Sequence, residues 1–363
     1  MISFFLGAGA SAPFGYPVTE KFKTDLVEEL ETKFTTEGDL PEEEKILFTI
    51  LKYKTYKDIE YVFDFWEKLM RLKKDKEYSA LVDFLISNIF HVEFEKIYGT
   101  GHSQAASLDR YFHHNETLMD FLVRKLYQNY SWKSENFEKA KIIYSSLTDL
   151  AKKQQKIDIF TTNYDTVIEE YCKENRELYN MIDGFKYDAV SECIKWNPTL
   201  FDEENNSEKQ KIFLYKLHGS LNWKHHMKYG IVKLIDIEMA TKAGGQYTHD
   251  VLIKPTLYPK QEHNIEPFRT LISKFGENLK KNEFCIIIGY SFRDENINDV
   301  FYEFLKQSKK LIIISNNATL DFNQNFMSKY DMNNINNYIL LDEKITSSAE
   351  KMNKLKERIT SML

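Results

Sequence analysis

Cysteine is scarce in this chain, and what there is does not pair. The 363 residues hold three cysteines, Cys172, Cys193 and Cys285, an odd number with no Cys-x-x-Cys among them. That excludes a four-cysteine zinc ribbon and gives no disulfide framework, so a reducing cytoplasm is the expected setting. Long hydrophobic runs are missing as well. No stretch of about eighteen apolar residues occurs, so no membrane-spanning helix is expected. Met1 leads straight into an apolar run, and no secretion signal is expected ahead of it. Positive charge is not in excess: the formal net charge is -6, which argues against tight, unaided binding to a nucleic-acid backbone. His91, His102, His113 and His114 fit no common metal-ligand spacing, and no metal is expected.

What is present suffices for a large core, since 42% of the residues are hydrophobic and 14% aromatic. A chain of this length and make-up is expected to divide into two modules. Its organising stretch is the first one, Ile2 to Leu6 running into Gly7-Ala8-Gly9-Ala10-Ser11, with Gly15-Tyr16-Pro17 behind. The apolar run reads as a buried parallel strand, and the small residues let the backbone turn sharply and come close to a bound group. Phe22, Leu26, Leu30 and Phe34 recur at helical spacing from about Val18. A helix there would aim N–H groups at an anion such as a pyrophosphate, although from this stretch alone an ordinary tight turn is the commoner reading.

From about Phe34 to Gln155 the character is helical. Ile59, Val62, Phe63, Trp66, Leu69 and Met70 form one apolar stripe, and Leu81, Phe84, Leu85, Ile89 and Val92 another. Leu118, Phe121, Leu122 and Leu126 make a third, Ile142, Ile143 and Leu147 a fourth. These stripes read as core. Strands resume at Ile157 to Phe160, Phe213 to Leu217, Phe284 to Ile288, Lys310 to Ile314 and Tyr338 to Leu341, with a last helix through Ala349, Met352, Leu355 and Ile359 that Ser347 and Glu350 cap as a box.

The fold expected is therefore α/β, a Rossmann-like parallel sheet with helices on both faces, an inserted all-helical module and no zinc ribbon. The sheet domain takes residues 1–35 and 156–363, the helical module 36–155.

Polar residues collect at the carboxyl ends of these strands, where open α/β sheets bind ligands. Asn163 can donate and accept, so it suits a ribose hydroxyl, a carboxamide or a water; alternatively Asn163 and Asp165 cap the next helix. His218, with Gly219 beside it to admit a ligand, is a candidate general base, or else a core histidine. Gly289, Ser291 and Asn316 end two further strands. Asp294 reads as a helix cap, and His225 and His226 carry no assigned role.

Taken in order, Gly7-Ala8-Gly9-Ala10-Ser11, Gly15-Tyr16-Pro17, Thr162-Asn163-Tyr164-Asp165, His218-Gly219-Ser220, Gly289-Tyr290-Ser291 and Asn316 resemble the sirtuin superfamily across nearly the whole chain. The likeness is greatest to the bacterial sirtuin-like branch used as NAD-consuming effectors in anti-phage defence. Asp58-Ile59-Glu60 and Lys254-Pro255-Thr256 with Lys260 also resemble that branch.

The resemblance implies that Gly7, Ala8, Gly9 and Ser11 cradle the NAD pyrophosphate with Ser291, Gly219 and Gly289 nearby, and that Asn316 holds the adenine-side ribose. It implies Asp165 at the nicotinamide carboxamide, Asn163 ordering the attacking water or ribose face, and His218 as base. The sirtuin Asp-Phe-Arg is replaced by Val18-Thr19-Glu20-Lys21-Phe22, which implies a different nicotinamide-side lid. Without a zinc ribbon to help hold an acyl-lysine, water is the natural acceptor. The implied activity is then NAD glycohydrolysis, gated by homo-oligomer assembly or a partner such as a HerA-type ATPase. A protein deacylase and a non-hydrolysing NAD or ADP-ribose sensor remain as alternatives.

Overall fold

The structure, a computed structural model, describes residues 1–38, 40, 42–53, 58–75, 77–81, 125, 133–203, 208–235, 245–253 and 264–363. The helical stripes beyond Leu81 up to Leu126, the four histidines between 91 and 114, and Lys254-Pro255-Thr256 with Lys260 lie outside the described residues. The chain forms two compact units. One comprises Met1–Tyr16, Tyr130–Ile253 and Tyr258–Leu363; the other comprises Pro17–Asn129 and Lys254–Leu257.

The first unit is built on a seven-stranded, wholly parallel sheet. Its strands are β1 (Ile2–Leu6), β2 (Lys156–Thr161), β3 (Tyr179–Ile182), β6 (Gln210–Lys216), β10 (Phe284–Ile288), β11 (Lys310–Ser315) and β12 (Tyr338–Asp342), in the order β12-β11-β10-β1-β2-β6-β3. The central strands are almost unbroken apolar runs because both faces are covered. Successive side chains alternate between two cores. Phe4, Leu6, Ile157, Ile159, Ile286 and Ile288 face helices that supply Ile143, Leu147, Val167, Ile168, Met352 and Leu355. Phe5, Phe160, Cys285 and Ile287 face the other way, into a core rich in rings, among them Phe268, Phe275, Phe301, Phe304 and Phe322. Each ring wholly removed from water contributes about 1.5–3 kcal/mol.

Register decides where the site is. Leu6 lies opposite Ile288 and Thr161, Thr161 opposite Lys216, and Ile288 opposite Ile314. The residues that follow these five therefore gather along one edge of the sheet. Strand order also reverses at β1, which has β2 on one side and the much later β10 on the other, and such a switch point opens a crevice at the carboxyl edge.

A second sheet, absent from the expected fold, branches off between β3 and β10. It is antiparallel, in the order β4-β5-β8-β7-β9, from β4 (Phe185–Asp188), β5 (Cys193–Trp196), β7 (Gly219–His226), β8 (Gly230–Lys233) and β9 (Tyr247–Leu252). Its Trp223 and Val251 enter the ring-rich core.

The described helices of the first unit include Phe137–Leu150, Val167–Glu174, Phe268–Leu279, Glu295–Lys306 and Ala349–Thr360. The helix Phe137–Leu150 packs Ala140, Ile143 and Leu147 into the aliphatic core. It therefore lies with the sheet, whereas the expected boundary at 155/156 put it in the helical module. The last helix is capped by Ser348, whose side chain accepts from Lys351 N–H, one residue later than the expected Ser347.

The second unit contains helices Thr19–Glu37, Glu42–Tyr53 and Ile59–Lys74. Phe22, Leu26 and Leu30 are buried along the first, and Ile59, Val62 and Phe63 along the third, which Asp58 caps through Glu60 N–H. The helix expected from Val18 is thus present, but in the helical unit, so the first boundary falls at 16/17 and not 35/36.

Candidate functional site

The opening turn is shaped by contact between two loops. Gly7 N–H donates to Ile288 O and Gly9 N–H to Gly289 O, both at 2.9 Å. A Cβ on Gly7 would lie 2.6 Å from Gly289 O, one on Gly9 2.7 Å from Gly289 Cα, and one on Gly289 2.5 Å from Ala10 N. Those are backbone atoms, so the absent side chains let the turn after β1 touch the turn after β10. The close approach visible here is chain to chain. The helix fed directly by the turn is the single turn Ala8–Ser11, followed by a tight turn over Ala12–Phe14; it is not the long helix beginning at Thr19.

Beside this turn a chain of hydrogen bonds joins four of the expected residues, Gly7, Ser11, Asn163 and Asp165. Thr161 Oγ1 donates to Leu6 O at 2.8 Å and accepts Asn163 N–H at 3.0 Å, which ties the loop after β2 to the end of β1. The Asn163 amide donates through Nδ2 to Gly7 O at 2.9 Å and to Ser11 Oγ at 2.8 Å. The Ser11 hydroxyl in turn donates to Asp165 Oδ2 at 2.6 Å, and Asp165 Oδ1 accepts Val167 N–H at 3.1 Å. Asp165 therefore does hold the start of a helix, as one of the two readings had it. With its donor end engaged, Asn163 keeps Oδ1 as an acceptor. Burial pushes the Asp165 carboxyl up from its ordinary range, and the nearby Lys216 ammonium and the Ser11 hydroxyl oppose the shift. Burial also raises the Tyr16 hydroxyl, and the charge of Asp165 adds to it.

The loop's backbone is gripped from below by Lys216, the last residue of β6 and only 1% exposed. Its ammonium donates to Asp165 O, to Ser220 Oγ at 2.8 Å and to Glu169 Oε1 at 3.0 Å. Ser220 Oγ also donates to Tyr164 O at 3.1 Å, and Tyr164 hydroxyl to Ile253 O at 2.6 Å. Nothing in the sequence marks Lys216 apart from its place at the end of an apolar strand.

His218 follows two residues after β6, its ring mostly buried. Its Nε2 lies 2.9 Å from Asp294 Oδ2. Gly219 has φ of +78°, and a Cβ there would meet Val251 O at 2.3 Å, so this glycine lets β7 pass β9. Gly289 and Ser291 stand at the end of β10, where Ser291 O accepts Asn325 Nδ2–H at 2.8 Å. Asn316 is exposed just past β11. The expected cap role of Asp294 holds: its side chain accepts from Asn296 and Ile297 N–H. Its pairing with His218 is not encoded locally, since the two residues are separated by 76 positions and carry no joint motif. Among the described residues no group of three or more His, Cys, Asp or Glu is placed to hold a metal, and no described helix is long and apolar enough to cross a membrane.

An open parallel sheet with polar loops at its switch point defines the class as a Rossmann-like α/β protein. More narrowly, residues 158–335 match the family model of a SIR2-like domain, which supports the sirtuin superfamily for that segment. No curated protein matches the chain. Similar solved structures include a Sir2 homolog in complex with NAD, at 13% identity and TM-score 0.43, over 99% of this chain and 90% of that one. A mutant Sir2 homologue with ADP-ribose is 11% identical with TM-score 0.42, over 100% and 94%. Sir2 with a p53 peptide and NAD+ is 12% identical with TM-score 0.39, over 99% and 92%.

Proposed function

We propose that this protein is an NAD glycohydrolase, cleaving NAD to nicotinamide and ADP-ribose. The observation that carries the reading is the gathering of Asn163, held by Gly7 O and Ser11, and His218, held by Asp294, along the carboxyl edge of a sheet within a SIR2-like segment. The dinucleotide would lie along that edge, its pyrophosphate over Ala8 and Ser291 and its adenine-side ribose at Asn316; Ser11, buried with its hydroxyl held between Asn163 and Asp165, would reach the pyrophosphate only if those bonds opened. Gly7 and Gly9 shape the turn, their amides being engaged by carbonyls of the β10 end.

The chemistry asks for few groups. Nicotinamide leaves as a neutral molecule from a cationic linkage, so departure leaves an oxocarbenium-like ribose, as in glycoside hydrolysis. The protein must hold the ring, limit bulk water and present one polarised water. Asn163 Oδ1 accepts one proton of that water, and His218 takes the other as the new C–O bond forms. Asp165, both oxygens engaged inside the protein, acts through Ser11 to hold the amide; a role at the nicotinamide carboxamide would require those bonds to open.

Such an activity needs restraint in a living cell. A gate by homo-oligomer assembly or by a partner, with a HerA-type ATPase as the first to try, and a role as a defence effector are parts of the same proposal. Light scattering that finds a stable, fully active monomer would remove the assembly gate.

The test is nicotinamide release from NAD by the full chain, alone and with the candidate partner, with and without an acyl-lysine peptide. Asn163→Ala and His218→Ala are each expected to lower turnover by about 10²-fold or more while the fold survives. Undiminished turnover in both would overturn the assignment, and strict dependence on the peptide would make the protein a deacylase.

A further inference from the structure

The His218–Asp294 pair has more reach than a helix cap requires. Asp294 Oδ1 already accepts Asn296 N–H at 2.9 Å and Ile297 N–H at 3.4 Å, which completes the cap of helix Glu295–Lys306. Oδ2 is turned instead to the His218 ring. In the sheet, β1 and β2 lie between β10 and β6, a span of about 14 Å at the usual spacing of about 4.8 Å per strand. The loops after β10 and β6 therefore meet across the carboxyl edge, beyond the ends of the two strands that lead into Gly7 and Asn163.

That loop is held in a costly shape. Phe292 has φ of +56°, a left-handed conformation worth about 1–3 kcal/mol of strain for a bulky residue. Its ring is wholly buried among Tyr290, Phe322 and Phe326, at centroid distances of 4.9, 5.2 and 5.6 Å. Asn298 Nδ2 donates to Phe292 O at 2.8 Å, Asn325 Nδ2 to Ser291 O at 2.8 Å, and Tyr290 hydroxyl to Asp294 O at 3.3 Å. Three side chains thus fix the backbone from 291 to 294, and the strained turn aims the carboxylate two ways at once.

We propose that Asp294 is a positioning residue for His218. A carboxylate only accepts, so His218 presents Nε2–H to it and Nδ1 carries the lone pair. Nδ1 is then the proton acceptor in the reaction, an assignment that rests on the NAD-hydrolase reading. As nicotinamide departs with the electron pair of the glycosidic C–N bond, water oxygen bonds to the ribose carbon, and its proton passes to Nδ1. The imidazolium, stabilised by Asp294, later returns that proton to solvent. Nothing else is consumed.

The substitution Asp294→Asn separates this role from the cap. Asparagine caps helices as well as aspartate does, so the carbonyl oxygen stays on Asn296 and Ile297 N–H and the new amide faces His218 Nε2. The amide donates, which forces the ring to the Nδ1–H tautomer and removes the acceptor. In the full chain with 15N-labelled histidine, at alkaline pH, the His218 ring is expected to show Nε2–H in the unaltered protein and Nδ1–H in the variant; His218→Ala identifies the signal. The variant's kcat for NAD is expected to fall by about 10²-fold or more with KM within about threefold, and the substitution is expected to have no further effect in a His218→Ala background. Should the variant fail to fold, Asp294→Ser keeps a capping oxygen and is too short to reach the ring.

An unchanged tautomer, an unchanged kcat, or an equal loss in the His218→Ala background would each overturn the proposal. Absence of NAD turnover in the unaltered chain both alone and with the candidate partner would strike the hydrolase reading instead, and the tautomer measurement, which needs no substrate, would still decide the pairing.

Discussion

The two sheets of the first unit solve the same problem with opposite chemistry. The central strands of the parallel sheet are runs of Phe, Ile and Leu buried on both faces, and they are held by packing. The antiparallel sheet carries a lysine in most of its strands, and three of these charges are answered in pairs: Lys195 with Asp188, Lys224 with Asp250, Lys233 with Asp183. Packing tolerates exchange among apolar residues of similar volume, whereas ion pairs demand a particular partner. The loops that gather the candidate site grow from the first kind of sheet, which supplies a rigid edge. The second sheet meets it at Glu169, whose carboxylate lies 3.0 Å from Lys216 of β6 and 3.9 Å from Lys233 of β8.

The largest effect is expected at that junction. Lys216→Met removes the cation from between Glu169, Ser220 and the Asp165 carbonyl and leaves a buried carboxylate short of one partner. Breaking a buried pair from one side costs about 3–5 kcal/mol, and denaturant unfolding of the variant checks it. Because Lys216 also steadies Asp165 and the loop that carries Asn163, NAD turnover should fall with stability. A variant as stable as the parent would mean that Lys233 alone satisfies Glu169, and the two sheets would then be less dependent on each other than the geometry implies.

The contrast between the sheets also explains what could be read in advance. Continuous apolar runs such as Phe284 to Ile288 announce buried parallel strands, and their carboxyl ends announced Asn163, Asp165 and His218 as neighbours of one edge. The antiparallel strands gave no such signal. Segments such as Cys193-Ile194-Lys195-Trp196 and Gly230-Ile231-Val232-Lys233 are four residues long and keep a lysine, and β7 buries Ser220, Asn222 and Lys224 along with Leu221 and Trp223. β7 does keep a period-two alternation, Leu221 and Trp223 against Ser220, Asn222 and Lys224, but its polar side is buried as well, so the pattern does not announce a solvent-facing strand. The missed residues of the site are of the same kind: Lys216 and Asp294 matter through partners far off in sequence, and local spacing does not encode that.

A glycine from each sheet sharpens the comparison at intermediate cost. Gly289 at the edge of the parallel sheet has φ of +64°, and a Cβ would lie 2.5 Å from the backbone of Gly9 and Ala10; Gly230 at the head of β8 has φ of +72° with nothing within 4 Å. Both alanine variants bear the left-handed penalty of about 1–2 kcal/mol, and Gly289→Ala adds an overpacking cost of about 1–3 kcal/mol. The expected result is a loss of about 2–5 kcal/mol with lost NAD turnover for Gly289→Ala, against about 1–2 kcal/mol with turnover kept for Gly230→Ala, since only the first displaces the opening turn. Equal losses in melting experiments would mean that the two loops can move apart freely, and the turn would not be the rigid element the contacts make it.

The smallest effect is expected at the far edge of the antiparallel sheet. Tyr187 sits in edge strand β4, is 60% exposed, and pairs across to Ile194 through backbone register. If that sheet is held chiefly by its charge pairs and by Trp223 in the core, the ring of Tyr187 contributes little, and Tyr187→Ser should change stability by no more than about 0.5 kcal/mol. The substitution leaves the neighbouring Asp188–Lys195 pair in place, so it isolates exposed apolar surface from charge. A loss above about 1 kcal/mol in urea unfolding would show that the edge strand draws on side-chain burial after all, and the division between a sheet held by packing and a sheet held by ion pairs would have to be redrawn.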